Sequence, residues 1–274
     1  MRRNKLYGGF YILILTVFIL SGTALVTRLA ELERGSQFYE QTEERKDPLP
    51  APSANPSPTA ASRPAAPREQ EPVPPEPHEL SRRLSQFSEK YPDAALWLQL
   101  PDTQLDYPVM LGTDNQFYLN HLPDGSKNNL GSLFLDYRTN ADSVHLIVYG
   151  HNGSGGRMFG LLKQYESEDY FLEHRTLTAA TPDSAHVCPI FSVRRAEAGG
   201  GAYRLEFEEG GSLAEYIRQA AAESLYPIEM DFGDAAGVLT LSTCTGWRNQ
   251  RLIVQALIME KSAPAGIEEN QGGG

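Results

Sequence analysis

Cysteine is nearly absent from this chain: 274 residues carry two, Cys188 and Cys244. One disulfide at most is open to it, and that bridge would consume Cys244, the one thiol placed to act as a nucleophile. Cys188 sits in the apolar run Val187-Cys188-Pro189-Ile190-Phe191 and reads as a small buried hydrophobe. Positive charge is also short, with 24 Lys and Arg against 35 Asp and Glu and a formal net charge of −11. That balance argues against nucleic acid as a partner and offers no basic patch for anionic lipid. Metal-ligand spacing is missing too: His121, His145, His174 and His186 lack close His or Cys partners. The acids of Glu206 to Glu209, interrupted by Phe207, read as a solvated turn rather than a calcium loop. No metal and no cofactor is expected, and no internal repeat is present.

Long apolar runs are limited to one. Tyr7 to Thr27 is nearly uncharged and rich in Ile, Leu, Phe and Val, and about 20 such residues cross a bilayer as a helix. Arg2, Arg3 and Lys5 precede it and Glu31 and Glu33 follow, so the positive-inside bias places the N-terminus in the cytoplasm and the rest of the chain outside. Ser21-Gly22-Thr23-Ala24 supplies the small residues of a cleavable signal, but the run is long for a signal core, and a retained single-pass anchor in the cell membrane is the preferred reading. The anchor and its basic tip occupy 1–33. Residues 34–79 lack hydrophobic periodicity and hold eleven prolines between Pro48 and Pro77, the composition of a disordered linker. At ~3.1 Å per residue in a polyproline conformation, that span could hold a domain up to roughly 90 Å from the membrane. The folded domain is expected over 80–262, with a flexible tail at 263–274.

Within that domain Leu80, Leu84, Phe87 and Tyr91 recur at helical spacing, predicting an amphipathic helix from Ser81 to Lys90. Strand patterns then dominate, at Ala95 to Leu100, Gln104 to Leu111, Ser132 to Tyr137, Val144 to His151, Ala185 to Arg194, Tyr203 to Phe207, Val238 to Cys244 and Arg251 to Met259. Turns such as Pro123-Asp124-Gly125 and Glu209-Gly210-Gly211 separate them. Helical patterns interrupt at Arg157 to Tyr165 and at Ser212 to Ser224, the latter with Ser212 as a possible N-cap. The fold class is mainly β: a closed or nearly closed barrel of about eight strands with short peripheral helices.

The chemistry converges on strand ends. Thr240-Leu241-Ser242-Thr243-Cys244 ends an apolar strand in a polar setting, and Arg251 opens the next one. Val148-Tyr149-Gly150-His151-Asn152 stops a third strand at a histidine. A thiol of ordinary pKa ~8.5 is mostly protonated at neutral pH and needs a neighbouring base or cation. A guanidinium can face the oxyanion of a tetrahedral intermediate, and an imidazole can protonate the departing amine. Cys, His and Arg together suggest acyl transfer through a thioester. Each alone has a plainer reading, as core packing, a turn histidine or a surface strand residue.

From about Ala95 to Lys261 the chain resembles the sortases, and class B among them. Leu241-Ser242-Thr243-Cys244 fits the family's TLxTC signature, and Arg251-Leu252-Ile253-Val254 fits the strand carrying its arginine. Trp97-Leu98-Gln99-Leu100, Asp106-Tyr107-Pro108-Val109, Tyr118-Leu119-Asn120, the block from Gly131 to Arg138, Tyr149-Gly150-His151-Asn152 and Met158-Phe159-Gly160 look like class B blocks too. The resemblance implies a membrane-anchored cysteine transpeptidase with a sortase-like barrel. It would cleave a C-terminal Asn-Pro-x-Thr sorting signal after its threonine and pass the acyl group from Cys244 to a cell-wall precursor or pilin lysine amine. His151, Cys244 and Arg251 take the catalytic positions, and Asn120, Tyr149, Ser242 and Thr243 the peptide-contacting ones. Six residues separate Cys244 from Arg251, fewer than class B leads one to expect, and they include Trp247 and a competing Arg248; Arg251 is preferred because it opens an apolar strand. Thr245 stands where some relatives carry an acid that pairs with the arginine. Two other readings compete: a cysteine protease that releases the acyl-enzyme to water, and a non-catalytic binding module tethered on a proline-rich stalk.

Overall fold

The computed structural model describes residues 2–43, 77–207, 212–233, 235–244 and 250–259. The chain divides into two units, Met1–Pro75 and Glu76–Gly274. In the first, α1 (Arg2–Glu43) is a single helix. It continues past the apolar run because Leu, Glu, Arg and Gln extend a helix at little cost, so the segment expected to begin a linker at residue 34 is helical to Glu43. Ile14–Thr42 is long enough to cross a membrane and holds an 18-residue stretch of mean hydropathy 1.5, and Phe18, Leu20 and Val26 are exposed. The proline-rich residues 44–76, the acids Glu208 and Glu209, and the tail expected at 263–274 lie outside the described residues.

The second unit is a closed barrel preceded by α2 (Pro77–Lys90). Its strands are β1 (Ala94–Gln99), β2 (Asp106–Met110), β3 (Leu133–Leu135), β4 (His145–Gly150), β5 (Thr176–Ala180), β6 (Ala185–Glu197), β7 (Ala235–Cys244) and β8 (Gln250–Met259). They close in the order β1-β2-β3-β4-β7-β8-β6-β5, which leaves no open sheet edge. Two pairs, β2 with β3 and β4 with β7, are parallel; the others are antiparallel. α3 (Glu168–Glu173) and α4 (Ser212–Ala222) are the short peripheral helices. The predicted stripe of α2 is buried at Leu80, Leu84 and Phe87, with Phe87 edge-on to Trp97. A buried ion pair, Arg83 to Asp106 at 3.1 Å, ties that helix to β2, and Trp97 Nε1 donates to the same carboxylate.

Eight strands form, but not the expected eight. Thr176-Leu177-Thr178-Ala179-Ala180 is strand β5, while Tyr203 to Phe207 is no strand. That segment begins in a 3-10 turn, Gly201–Tyr203, and lies across β4, β7 and β8, packing Ala202 and Tyr203 on Ile147 and Ile253. Its alternation of apolar and polar residues satisfies a half-buried covering segment as well as a strand. The Arg204 carbonyl accepts from the His145 ring at Nδ1 (2.6 Å) instead of joining a ladder. The expected helix at Arg157 to Tyr165 is a 3-10 run, Phe159–Glu166.

The other ring nitrogen of His145 accepts from the Thr240 hydroxyl at 2.7 Å, and Gln255 Nε2 donates to both Thr240 Oγ1 and the Tyr216 hydroxyl. Burial is the main reason the His145 imidazole is pushed down from 6.5 to about 4. The unfolded chain therefore takes up this proton first, so stability should hold above 6.5 and fall as pH drops from there towards 4. Denaturation at pH 4.5 against pH 7.5 should show about 2–3 kcal/mol lost through this group, and His145→Gln should flatten that part of the profile.

Gly150 ends β4 where no side chain fits. A Cβ there would overlap Leu133 Cδ2 and lie 2.7 Å from Phe159 Cδ2. Gly150→Ala should cost about 1–3 kcal/mol by overpacking, read as a lower denaturation midpoint, and should displace the residue that follows, His151.

Candidate active site

Parallel pairing brings the C-terminal ends of β4 and β7 to one rim of the barrel. The last paired positions are Tyr149 with Ser242 and Gly150 with Thr243, and the next residues along the two chains are His151 and Cys244. Antiparallel pairing of β7 with β8 sets Cys244 opposite Arg251. His151, one residue past the end of β4, thus comes to the rim at which Cys244 and Arg251 pair across β7 and β8. Thr245, Trp247 and Arg248 lie outside the described residues, so Arg251 is the arginine with a described position.

His151 is half-buried and its Nε2 donates to the Leu119 carbonyl at 2.6 Å. A carbonyl only accepts, so this bond puts the ring hydrogen on Nε2 and makes Nδ1 the basic nitrogen of the neutral ring. The loop after it is closed tightly: Phe159 N–H donates to the His151 carbonyl at 3.0 Å, and Asn152 bridges to Met158, which holds φ 51. Gly160 is obligatory there, since a Cβ would collide with the Gly153 carbonyl.

Beside this rim lies a cleft of about 230 Å³, walled by Leu119, Phe134, Tyr149, Tyr203, Ser242 and Arg251, with Asn115 and Gln116 from the β2–β3 connection. Its surface mixes aromatic faces with a few polar groups and one cation. Ser242 is buried and its hydroxyl meets the Tyr203 hydroxyl at 2.8 Å. Tyr149 lies near-parallel to Tyr203 and donates its hydroxyl to Asp136 Oδ2 at 3.0 Å. Burial, then the Asp136 charge, raise the Tyr149 pKa, so the phenol stays a donor. At Asp136 burial acts upward, but the hydrogen bonds from Arg138 and Tyr149 outweigh it and hold the carboxyl below its usual range.

The sequence-predicted residues divide. His151, Cys244 and Arg251 share the rim, and Tyr149, Ser242 and Arg251 line the cleft. Thr243 is buried outside the cleft lining, its hydroxyl without a partner among the described residues. Asn120 is exposed and away from the lining, its carbonyl accepting from Asn128 N–H at 2.9 Å; Asn115 and Leu119 stand in the cleft instead. Sequence reasoning also missed Tyr203 and Asp136. An acid set between the apolar Leu133-Phe134-Leu135 and Tyr137 was the available signal for Asp136. Among the described residues no group of three or more His, Cys, Asp or Glu could hold a metal ion.

No family model matches the chain. Over 188 residues it is 28% identical to Sortase B of Listeria monocytogenes, covering 67% of this chain and 76% of that protein. The solved sortase B of Clostridium perfringens is 27% identical with a TM-score of 0.59, over 64% of this chain and 99% of that one. The Staphylococcus aureus sortase B-substrate complex has the same fold, with a TM-score of 0.61 at 23% identity over 67% of this chain and 87% of that one.

Proposed function

We propose that this class B sortase, a cysteine transpeptidase by its fold and its relatives, cleaves a C-terminal Asn-Pro-x-Thr sorting signal and transfers the acyl group to an amine. The register carries the reading: His151 follows the end of β4, and Cys244 and Arg251 pair across β7 and β8, at the rim beside the cleft. In the proposed cycle the Cys244 thiol gives its proton to His151 Nδ1 and the sulfur attacks the threonine carbonyl. Arg251 faces the oxyanion that forms. Collapse breaks the peptide bond as the imidazolium protonates the leaving amine, and a thioester remains. An incoming amine then loses a proton to Nδ1 and displaces the sulfur. The Leu119 carbonyl supports this role for His151, since it occupies Nε2 and leaves Nδ1 for proton transfer. The Staphylococcus aureus sortase B of the same fold is solved as a substrate complex, and the cleft lined by Tyr149, Ser242 and Arg251 is the place proposed for the signal in this chain.

Helix α1 would anchor the enzyme, N-terminus inside, with residues 44–76 as the spacer to an extracellular catalytic domain. The accepting amine would come from a cell-wall precursor or a pilin lysine. Incubating the full chain in detergent with an Asn-Pro-Gln-Thr peptide and a graded amine tests the transfer. Amine-capped product should rise with amine at the expense of the hydrolysed acid. A water product that stays constant at every amine concentration would favour a cysteine protease instead.

A further inference from the structure

Asp136 follows β3 and is fully buried, a position where a carboxylate is unfavourable unless its charge is met. Its partners come from three segments. Arg138 donates from Nε and Nη2, both at 2.8 Å; Tyr149 donates its hydroxyl at 3.0 Å from β4; Asn115 donates from Nδ2 at 3.2 Å from the β2–β3 connection. Tyr149 and Asn115 are both walls of the peptide cleft. The Asn115 carboxamide is held at both ends, because its Oδ1 accepts the Tyr137 N–H at 3.0 Å. Tyr149 also leans on Phe134, another wall. A single carboxylate outside the lining therefore sets the orientation of two side chains within it, one aromatic and one amide.

We propose that Asp136 is a positioning residue, which fixes Tyr149 and Asn115 as walls of the cleft and so governs affinity for the sorting-signal peptide rather than the acyl-transfer step. The proposal rests on the transpeptidase reading of the cleft. Without the charge, one neutral carbonyl oxygen must serve Arg138, the Tyr149 hydroxyl and the Asn115 amide in place of two charged oxygens, and the cleft loses a preformed shape, which weakens binding without touching the reacting atoms.

The test uses the full chain. Asp136→Asn preserves the size of the side chain and removes its charge. KM for an Asn-Pro-Gln-Thr peptide should rise about 10-fold with kcat within about 2-fold. In a Cys244→Ala background, anisotropy of the labelled peptide should report the same weakening of Kd. Tyr149→Phe should weaken binding about 3- to 5-fold, and adding it to Asp136→Asn should change little, since both remove one anchor. A fall in kcat at unchanged KM, or full additivity in the double variant, would overturn the proposal. Should Asp136→Asn fail to fold by circular dichroism, Tyr149→Phe and Asn115→Ala decide: coupling between them supports a shared anchor and strict additivity overturns it. A wild-type chain that binds the peptide without turning it over would sink the transpeptidase reading, while the Kd comparison still decides the role of Asp136.

Discussion

Cys244→Ala should abolish cleavage and transfer, with kcat/KM for the sorting peptide falling at least about 10⁴-fold, while the thermal midpoint stays near that of the wild type. The expectation follows from covalent catalysis: once the sulfur is gone there is no acyl carrier, and binding in the cleft cannot replace it. The second thiol cannot substitute. Cys188 is fully buried, and burial pushes its pKa up to about 12, so it is neither ionised nor reachable at neutral pH. Cys188→Ala should accordingly keep full transpeptidation. Parallel progress curves on the two variants and the wild type check the contrast, and a Cys244→Ala chain that still caps peptide with amine would remove Cys244 from the mechanism.

Arg251→Ala should lower kcat by about 10²- to 10³-fold, the scale of losing one oxyanion donor. Arg251 is half-buried in the cleft lining, opposite Cys244 in the β7–β8 register and next to Ala196 of β6 on its other side. Strand pairing on both sides fixes its backbone, so the guanidinium works from a rigid base. Arg251→Lys should restore little, because an ammonium keeps the charge and loses the planar fork of donors. Arg248→Ala should stay within about 3-fold of the wild type, as expected of a residue outside the chemistry. Steady-state kinetics on the three variants separate the two arginines; a larger loss at Arg248 than at Arg251 would exchange their roles.

The barrel was legible where apolar, β-branched runs are long. Leu146-Ile147-Val148 and Val238-Leu239-Thr240-Leu241 mark β4 and β7 without help from context, and both end at the rim where the catalytic residues are proposed. β5 was not legible, because Thr176 to Ala180 is short and two of its five residues are alanine; pairing with β1 and β6 makes it a strand. Tyr203 to Phe207 erred the other way. Periodicity reports which residues are half-buried, and a covering segment shares that pattern with a strand. The rim residues were proposed from the three strand ends, whereas Asn115 and Tyr203 reach the cleft through tertiary contacts with no local signature. The same limit explains Asn120: Leu119 and Asn120 are neighbours in sequence, yet the 3-10 turn Phe117–Leu119 sends one to the cleft and the other to solvent.

The proposed mechanism requires an acyl group carried on Cys244. Intact-mass spectrometry of the full chain, quenched in acid after mixing with an Asn-Pro-Gln-Thr peptide and no amine, measures it directly. The expected result is an added mass equal to the peptide fragment ending in threonine, mapped to the Cys244 peptide and removed by hydroxylamine. Peptide turnover with no adduct, or an adduct on Cys188, would contradict it.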